Sequence, residues 1–222
     1  MTKRSATAVA LAMLAALCSA CADSSRDVEL LRLATEHPMT GSESARVREL
    51  LDQGANPDAQ GENNQTPLML AVSRGDLPMV NLLLERGANV NAHDARGRTP
   101  LMDACWSSSP LLVKLLLDSG ASVDAADRNG WTPLMIACII GNPEVVKVLL
   151  QRGAGVSARN ARDGAALTIA AFHGHAEVVR QLLARGADVH AQRRGGQTAL
   201  KYALSQGHRE VAAMLKAHGA TE

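Results

Sequence analysis

Thr66-Pro67-Leu68-Met69-Leu70-Ala71 and Gly87-Ala88-Asn89-Val90-Asn91-Ala92 are the two stretches on which the reading of this chain turns. The first returns at Thr99-Pro100-Leu101-Met102 and at Thr132-Pro133-Leu134-Met135. The second returns as a Gly-Ala pair at Gly54, Gly87, Gly120, Gly153, Gly186 and Gly219, always 33 residues on. A Leu-Leu pair precedes the glycine at a fixed distance, as Leu83-Leu84, Leu116-Leu117 and Leu149-Leu150. A constant period of this length governs the fold before any local signal does. Thr before Pro predicts a helix N-cap followed by a residue whose missing N–H costs nothing in the first turn. Met79 to Glu85 reads as a second helix with Val80, Leu83 and Leu84 on one side. Arg86-Gly87 ends it, a cation suiting the helix C-terminus and glycine the left-handed cap. Asn89 to Gly97 is then a polar loop. One such unit cannot cover its own apolar face, so neighbours must stack into a continuous core.

The period and the T-P-L-M-x-A and G-A-x-V-N/D-A patterns resemble the ankyrin repeat, with Gly130-Trp131-Thr132-Pro133-Leu134 and Gly174-His175 as further matching motifs. The resemblance covers roughly residues 28–220. It implies an all-α repeat solenoid of six stacked repeats over 22–220: about 28–60, 61–93, 94–126, 127–159, 160–192 and 193–220. The family usually has His where this chain has Met69, Met102 and Met135, which puts one hydrogen-bond network between repeats in question. Both ends read as caps. The last repeat places Lys216 where the second Leu belongs and carries Ala212 and Ala213 in its final helix. The first is irregular: a helix over 28–37, a loop over 38–43 and a helix over 45–53.

Residues 1–21 read as a secretory signal: Lys3 and Arg4, then the apolar run Ala8 to Leu17, too short to span a bilayer, then small residues. Two processing routes stay open. Leu17-Cys18-Ser19-Ala20-Cys21 resembles a bacterial lipoprotein signal with Cys21 as the lipidated residue, although Cys18 stands where that pattern has an aliphatic one. Ala20-Cys21-Ala22 is instead an A-x-A cleavage site. On either route the protein is exported to the periplasm. Lys3 and Arg4 leave with the segment, turning 23 basic residues against 22 acidic into 21 against 22.

Composition narrows the function. The near-neutral balance argues against a nucleic-acid binder, which wants a strongly basic domain. Only Trp106, Trp131, Phe172 and Tyr202 are aromatic, so Leu, Ala, Val and Met must fill the core. Cys105 and Cys138 hold the same place in adjacent repeats, and packed helices stand too far apart for a bridge between them. They read as buried structural thiols. His173-Gly174-His175 has no carboxylate or cysteine partners at metal-site spacing, so no metal site is expected. Asp94, Asp127 and Asp163 read as solvated turn residues. No nucleophile has a base beside it, and no phosphate-binding or dinucleotide fingerprint occurs. The chain is read as a non-enzyme without cofactor.

In the family the loops and first helices form a partner-binding face. Carried over by position from each Thr, that face holds Arg96, Arg98, Trp106, Arg128, Trp131, Ile139, Arg159, Arg162, Phe172 and Arg194, with Arg74 beside them and Glu62 as the one acid. Trp and Arg are the residues most enriched at binding hot spots. A bland net charge therefore conceals a basic face with an apolar centre, suited to a protein partner with an acidic and apolar surface. The expected molecule is a monomer that meets the membrane only through a lipid on Cys21. Exported ankyrin proteins of this kind resemble either a factor protecting a periplasmic enzyme such as a catalase, or an immunity protein blocking a toxic effector. A structural envelope component and an enzyme are the weaker alternatives.

Overall fold

The computed structural model of the chain describes residues 24–35 and 41–221. The signal segment and Cys21 lie outside the described residues. The chain forms two compact units: one runs to Ala71 and includes Asp76–Asn89, and the other comprises Val72–Gly75 and the chain from Val90 onward.

The first unit contains helix α1 over residues 24–35 and helix α2 over Gly41–Asp52, then a 3-10 turn at Glu62–Asn64. The greater part of α3 (Pro67–Arg74) and all of α4 (Leu77–Glu85) complete it. Helix α2 starts inside the stretch expected as loop, because Glu43 suits the positive end of a helix. Leu30, Ala34, Val47, Leu50, Leu68, Val80 and Leu83 are its buried core. Asp76 caps α4 by accepting from the Met79 N–H at 3.0 Å. Bonds from α1 to the first loop and from that loop to the next tie the unit together. Asp27 accepts from the Asn56 N–H at 2.7 Å, and Asp58 from the Asn89 N–H at 2.8 Å.

The second unit is an all-α solenoid of helix pairs: α5 (Pro100–Trp106) with α6 (Pro110–Asp118), α7 (Pro133–Ile140) with α8 (Pro143–Gln151), α9 (Ala166–His173) with α10 (Ala176–Ala184), and α11 (Ala199–Ser205) with α12 (Arg209–Ala217). First helices pack in one row and second helices in another. Each layer is filled by the same small set. Leu101, Leu134, Leu167 and Leu200 stand at one level, and Leu116, Leu149, Leu182 and Leu215 at the other, all buried. Ala104, Ala137, Ala170 and Ala203 let the rows approach. Thin layers of this kind have little room for rings. On α12, Ala213 and Lys216 are exposed, leaving the last helix a polar outer side.

Neighbouring pairs are joined by bonds that reach back about one period. Asn91 accepts from the Ser122 N–H at 2.8 Å, and Asp124 from the Gly155 N–H at 2.9 Å. Arg152 pairs with Asp118 at 2.6 Å. The His175 ring donates from Nε2 to the Ile139 carbonyl and the His208 ring to that of Phe172, both at 3.0 Å. Each ring lies over a glycine of the preceding pair. A Cβ on Gly141 would overlap the His175 imidazole, and one on Gly174 that of His208. So Gly174-His175 and Gly207-His208 carry the inter-repeat histidine bond. Met69, Met102 and Met135, at the place where the family has its other histidine, are buried as plain apolar residues.

The expected Thr caps form at Thr66 and Thr132, and a further one at Thr198, which precedes Ala199 rather than Pro; their hydroxyls accept from the N–H of Met69, Met135 and Lys201 at 3.4, 3.3 and 3.2 Å. Thr99 departs from this. The Met102 N–H bonds the Thr99 carbonyl at 3.0 Å in a tighter first turn, and the buried Thr99 hydroxyl has no partner among the described residues. At Ala165 the cap hydroxyl is missing altogether. Thr168 replaces it from inside the helix, accepting from the Ala165 N–H at 3.1 Å and donating to the Ala165 carbonyl at 2.8 Å. Thr168→Val keeps the shape and strands a buried N–H, so it is expected to cost about 1–3 kcal/mol. Urea unfolding would read this as a lower midpoint at unchanged slope.

Candidate partner-binding face

The loops of the second unit are shaped by one acceptor each. Asp94 Oδ1 accepts from the N–H of Arg96 and Arg98 at 2.8 and 2.9 Å. Asp127 Oδ1 does the same for Asn129 and Trp131, and Asn160 Oδ1 for Arg162 and Gly164. Asp94 and Asp127 are turn residues as expected, but Asp94 is buried rather than solvated, because its carboxylate is enclosed by the turn it holds and by Arg98. Asp163 differs: it sits at the loop tip and pairs with Arg194 at 3.0 Å. The next place in the series is Arg193, which cannot accept. There the chain forms a small antiparallel hairpin instead, Gln192–Arg193 against Gln197–Thr198.

These turns hold a groove of about 160 Å³, lined by Trp131, Ile139, Arg162, Thr168, Ile169, Phe172, His173 and Arg193. Trp131 is fixed at both ends of its peptide, its N–H donating to Asp127 Oδ1 at 2.9 Å and its carbonyl accepting from the Asp127 N–H at 3.0 Å. Phe172 is 40% exposed and meets the Tyr202 ring edge-on, centroids 5.4 Å apart. Arg193 is braced between the Arg162 carbonyl (3.2 Å) and the Tyr202 hydroxyl (3.5 Å). Burial, with His175 and His208 close by, holds the His173 pKa below the ordinary imidazole value. No carboxylate lines the groove.

Of the residues expected on the face, the groove brings together Trp131, Ile139, Arg162 and Phe172. Arg96 and Arg128 are exposed at successive loop tips, joined by the Arg128 N–H to Arg96 carbonyl bond at 3.0 Å. Trp106 is 45% exposed at the end of α5, outside the groove lining. The other three arginines have work within the fold. Arg98 turns toward Asp94 (3.0 Å) and Asp103 (3.5 Å). Arg159 donates to the Gln192 carbonyl at 2.7 Å, tying one loop to the next. Arg194 holds Asp163. Ion pairs among the described residues therefore reach Arg98 and Arg194 but not Arg96, Arg128, Arg162 or Arg193. The sequence reading missed Arg193 and Tyr202. The signal for Arg193 was the break in the Asp94, Asp127, Asn160 series.

Elsewhere the chemistry is structural. Cys105 and Cys138 are free buried thiols, and burial pushes both pKa values far up. Among the described residues no group of His, Cys, Asp or Glu is placed to hold a metal. Burial would also raise the Asp94 carboxyl, but the Arg98 and Arg96 N–H groups and the Arg98 guanidinium hold it below the usual range. Asp103 goes the other way. Burial on α5 pushes its pKa from 3.8 to about 6, against the pull of Arg98. The folded state thus keeps a proton that the unfolded chain releases. The stability this proton contributes is complete below about pH 4 and is lost as pH rises through 6. Asp103→Asn should therefore match the parent protein near pH 4 and exceed it by roughly 2–3 kcal/mol at pH 7.5. Urea titrations at the two pH values test this, and an equal difference at both would refute it.

Comparison with known families agrees with the period. The family model described as ankyrin repeats (3 copies) matches residues 31–127, 109–193 and 163–221. No curated protein matches the chain. Domains of this family are generally protein-interaction modules rather than enzymes. The helix pairs, their capped turns and matches that run from residue 31 to 221 lead to one assignment: the chain belongs to the ankyrin repeat family.

Proposed function

We propose that this is a non-enzymatic, monomeric protein of six ankyrin repeats that captures a partner protein on its loops and first helices. The observation that carries this reading is the groove of Trp131, Ile139 and Phe172 with Arg162 and Arg193 at its rim and no acid in its wall. A fixed ring in a pocket loses little freedom on binding, which favours affinity. Unpaired guanidinium groups around it select an acidic, apolar surface and steer its approach. The segment from Lys3 to Ala20 supports export to the periplasm, with Cys21 as the lipid attachment point. In that compartment the expected partner is an enzyme, such as a catalase, that the repeat protein protects or regulates.

Trp131→Ala combined with Phe172→Ala should abolish partner capture from an envelope extract while far-UV circular dichroism stays unchanged. Recovery of one abundant periplasmic oxidoreductase supports the protective role, whereas recovery of a toxin makes the protein an immunity factor. Capture that survives both substitutions places the interface elsewhere. For the anchor, a fatty-acid probe should label the wild-type chain and fail on Cys21→Ser. Labelling absent from both indicates cleavage after Ala22.

A further inference from the structure

We infer that the groove receives the C-terminal residue of the partner, its apolar side chain between Trp131, Ile139 and Phe172 and its terminal carboxylate on Arg162 and Arg193. This rests on the groove being the partner face. Its volume of about 160 Å³ lies below the roughly 300 Å³ at which small-molecule pockets begin, and suits one side chain. The apolar residues Trp131, Ile139 and Phe172 and the cationic residues Arg162 and Arg193 line the same small space. An occupant must therefore offer an apolar group and an anion within a few ångströms of each other. An internal Asp or Glu carries its charge at the end of the side chain that would have to fill the hole. An internal Leu or Phe carries no charge. A chain terminus has both on one Cα, and its carboxylate is ionised at neutral pH.

The cationic side is built before the ligand arrives. Arg193 is held by the Arg162 carbonyl and the Tyr202 hydroxyl, and Tyr202 is itself packed edge-on against Phe172. Those bonds use Nε and one Nη1 hydrogen, leaving the second amino group of the fork to donate. Arg162 has its backbone N–H committed to Asn160 and its guanidinium free of any carboxylate among the described residues. Capture of a terminal carboxylate is a recurring mode of peptide recognition.

Three acetylated peptides test the assignment: Ac-Gly-Ser-Leu with a free carboxylate, the same peptide amidated, and amidated Ac-Leu-Glu with its anion in a side chain. The readout is the Trp131 indole N–H resonance of the full-length ¹⁵N-labelled protein, identified with Trp131→Phe. The free acid should bind at least about tenfold more tightly than either amide, a gap of about 1.4 kcal/mol. Arg162→Gln should bring the acid down to the level of its amide. Equal binding of acid and amide overturns the inference, as does failure of all three to move Trp131 at millimolar peptide. If the unsubstituted protein binds acid and amide equally and Phe172→Ala removes both, the groove remains the partner face and only the terminal carboxylate is refuted. If the acid binds as expected but partner capture ignores Trp131 and Phe172, the pocket stands and the partner reading falls.

Discussion

A helix pair of this length has two apolar sides and no means of covering both. Its helices run to nine residues or fewer in the second unit, shorter than an isolated helix holds in water. Helix α8 buries Val145, Val146, Leu149 and Leu150, and α10 buries Val178, Val179, Leu182 and Leu183. Everything else follows from the need to bring these faces together. The Asx bonds between loops, the Arg152–Asp118 pair and the His175 and His208 rings fix the register of one pair on the next.

The same demand shapes the face. A loop locked by Asp94, Asp127 or Asn160 presents its next residues at a fixed angle, and Trp131 enters the groove because its own peptide closes that turn. Where the series breaks at Arg193, the turn loses its acceptor and the hairpin takes over. The side chain released from turn-making is then available to brace against Tyr202 and line the pocket. Arg193, one of the groove's two cations, is in this sense a by-product of a missing Asp.

The features legible in the sequence were those that depend on one repeat alone. Thr before Pro, Gly after the Leu-Leu pair and Asp at the turn act within a few residues, so their bonds could be anticipated at Thr66, Thr132 and Asp127. The residues misjudged were those whose partners the repeat pattern does not specify, inside the repeat as well as beyond it. Arg98 looked like a free surface charge but turns inward, because Asp103 on α5 places a buried carboxyl within 3.5 Å. Arg159 looked alike and instead spans to Gln192 of the following loop. Thr99 looked like its equivalents, yet a slightly tighter turn at Met102 leaves its hydroxyl idle. Position within the period says which side of a repeat a residue occupies. It does not say what the next repeat offers it.

The histidine bonds reach back 36 residues, each from one pair to the pair just before it. Bonds of that span close short loops only, so their entropic cost stays nearly constant along the second unit. Order can then spread from any pair of neighbours, with no single nucleus that must form first. The wall from Trp131 to Tyr202 draws on consecutive pairs inside that unit, so it is complete as soon as those pairs have met. A transient opening of helix α12, on which α11 packs, would loosen the Tyr202 side and leave the Trp131 side of that wall standing. The Trp131 side of the groove and the end of the row belong to different parts of one ladder, and the first can outlast the second.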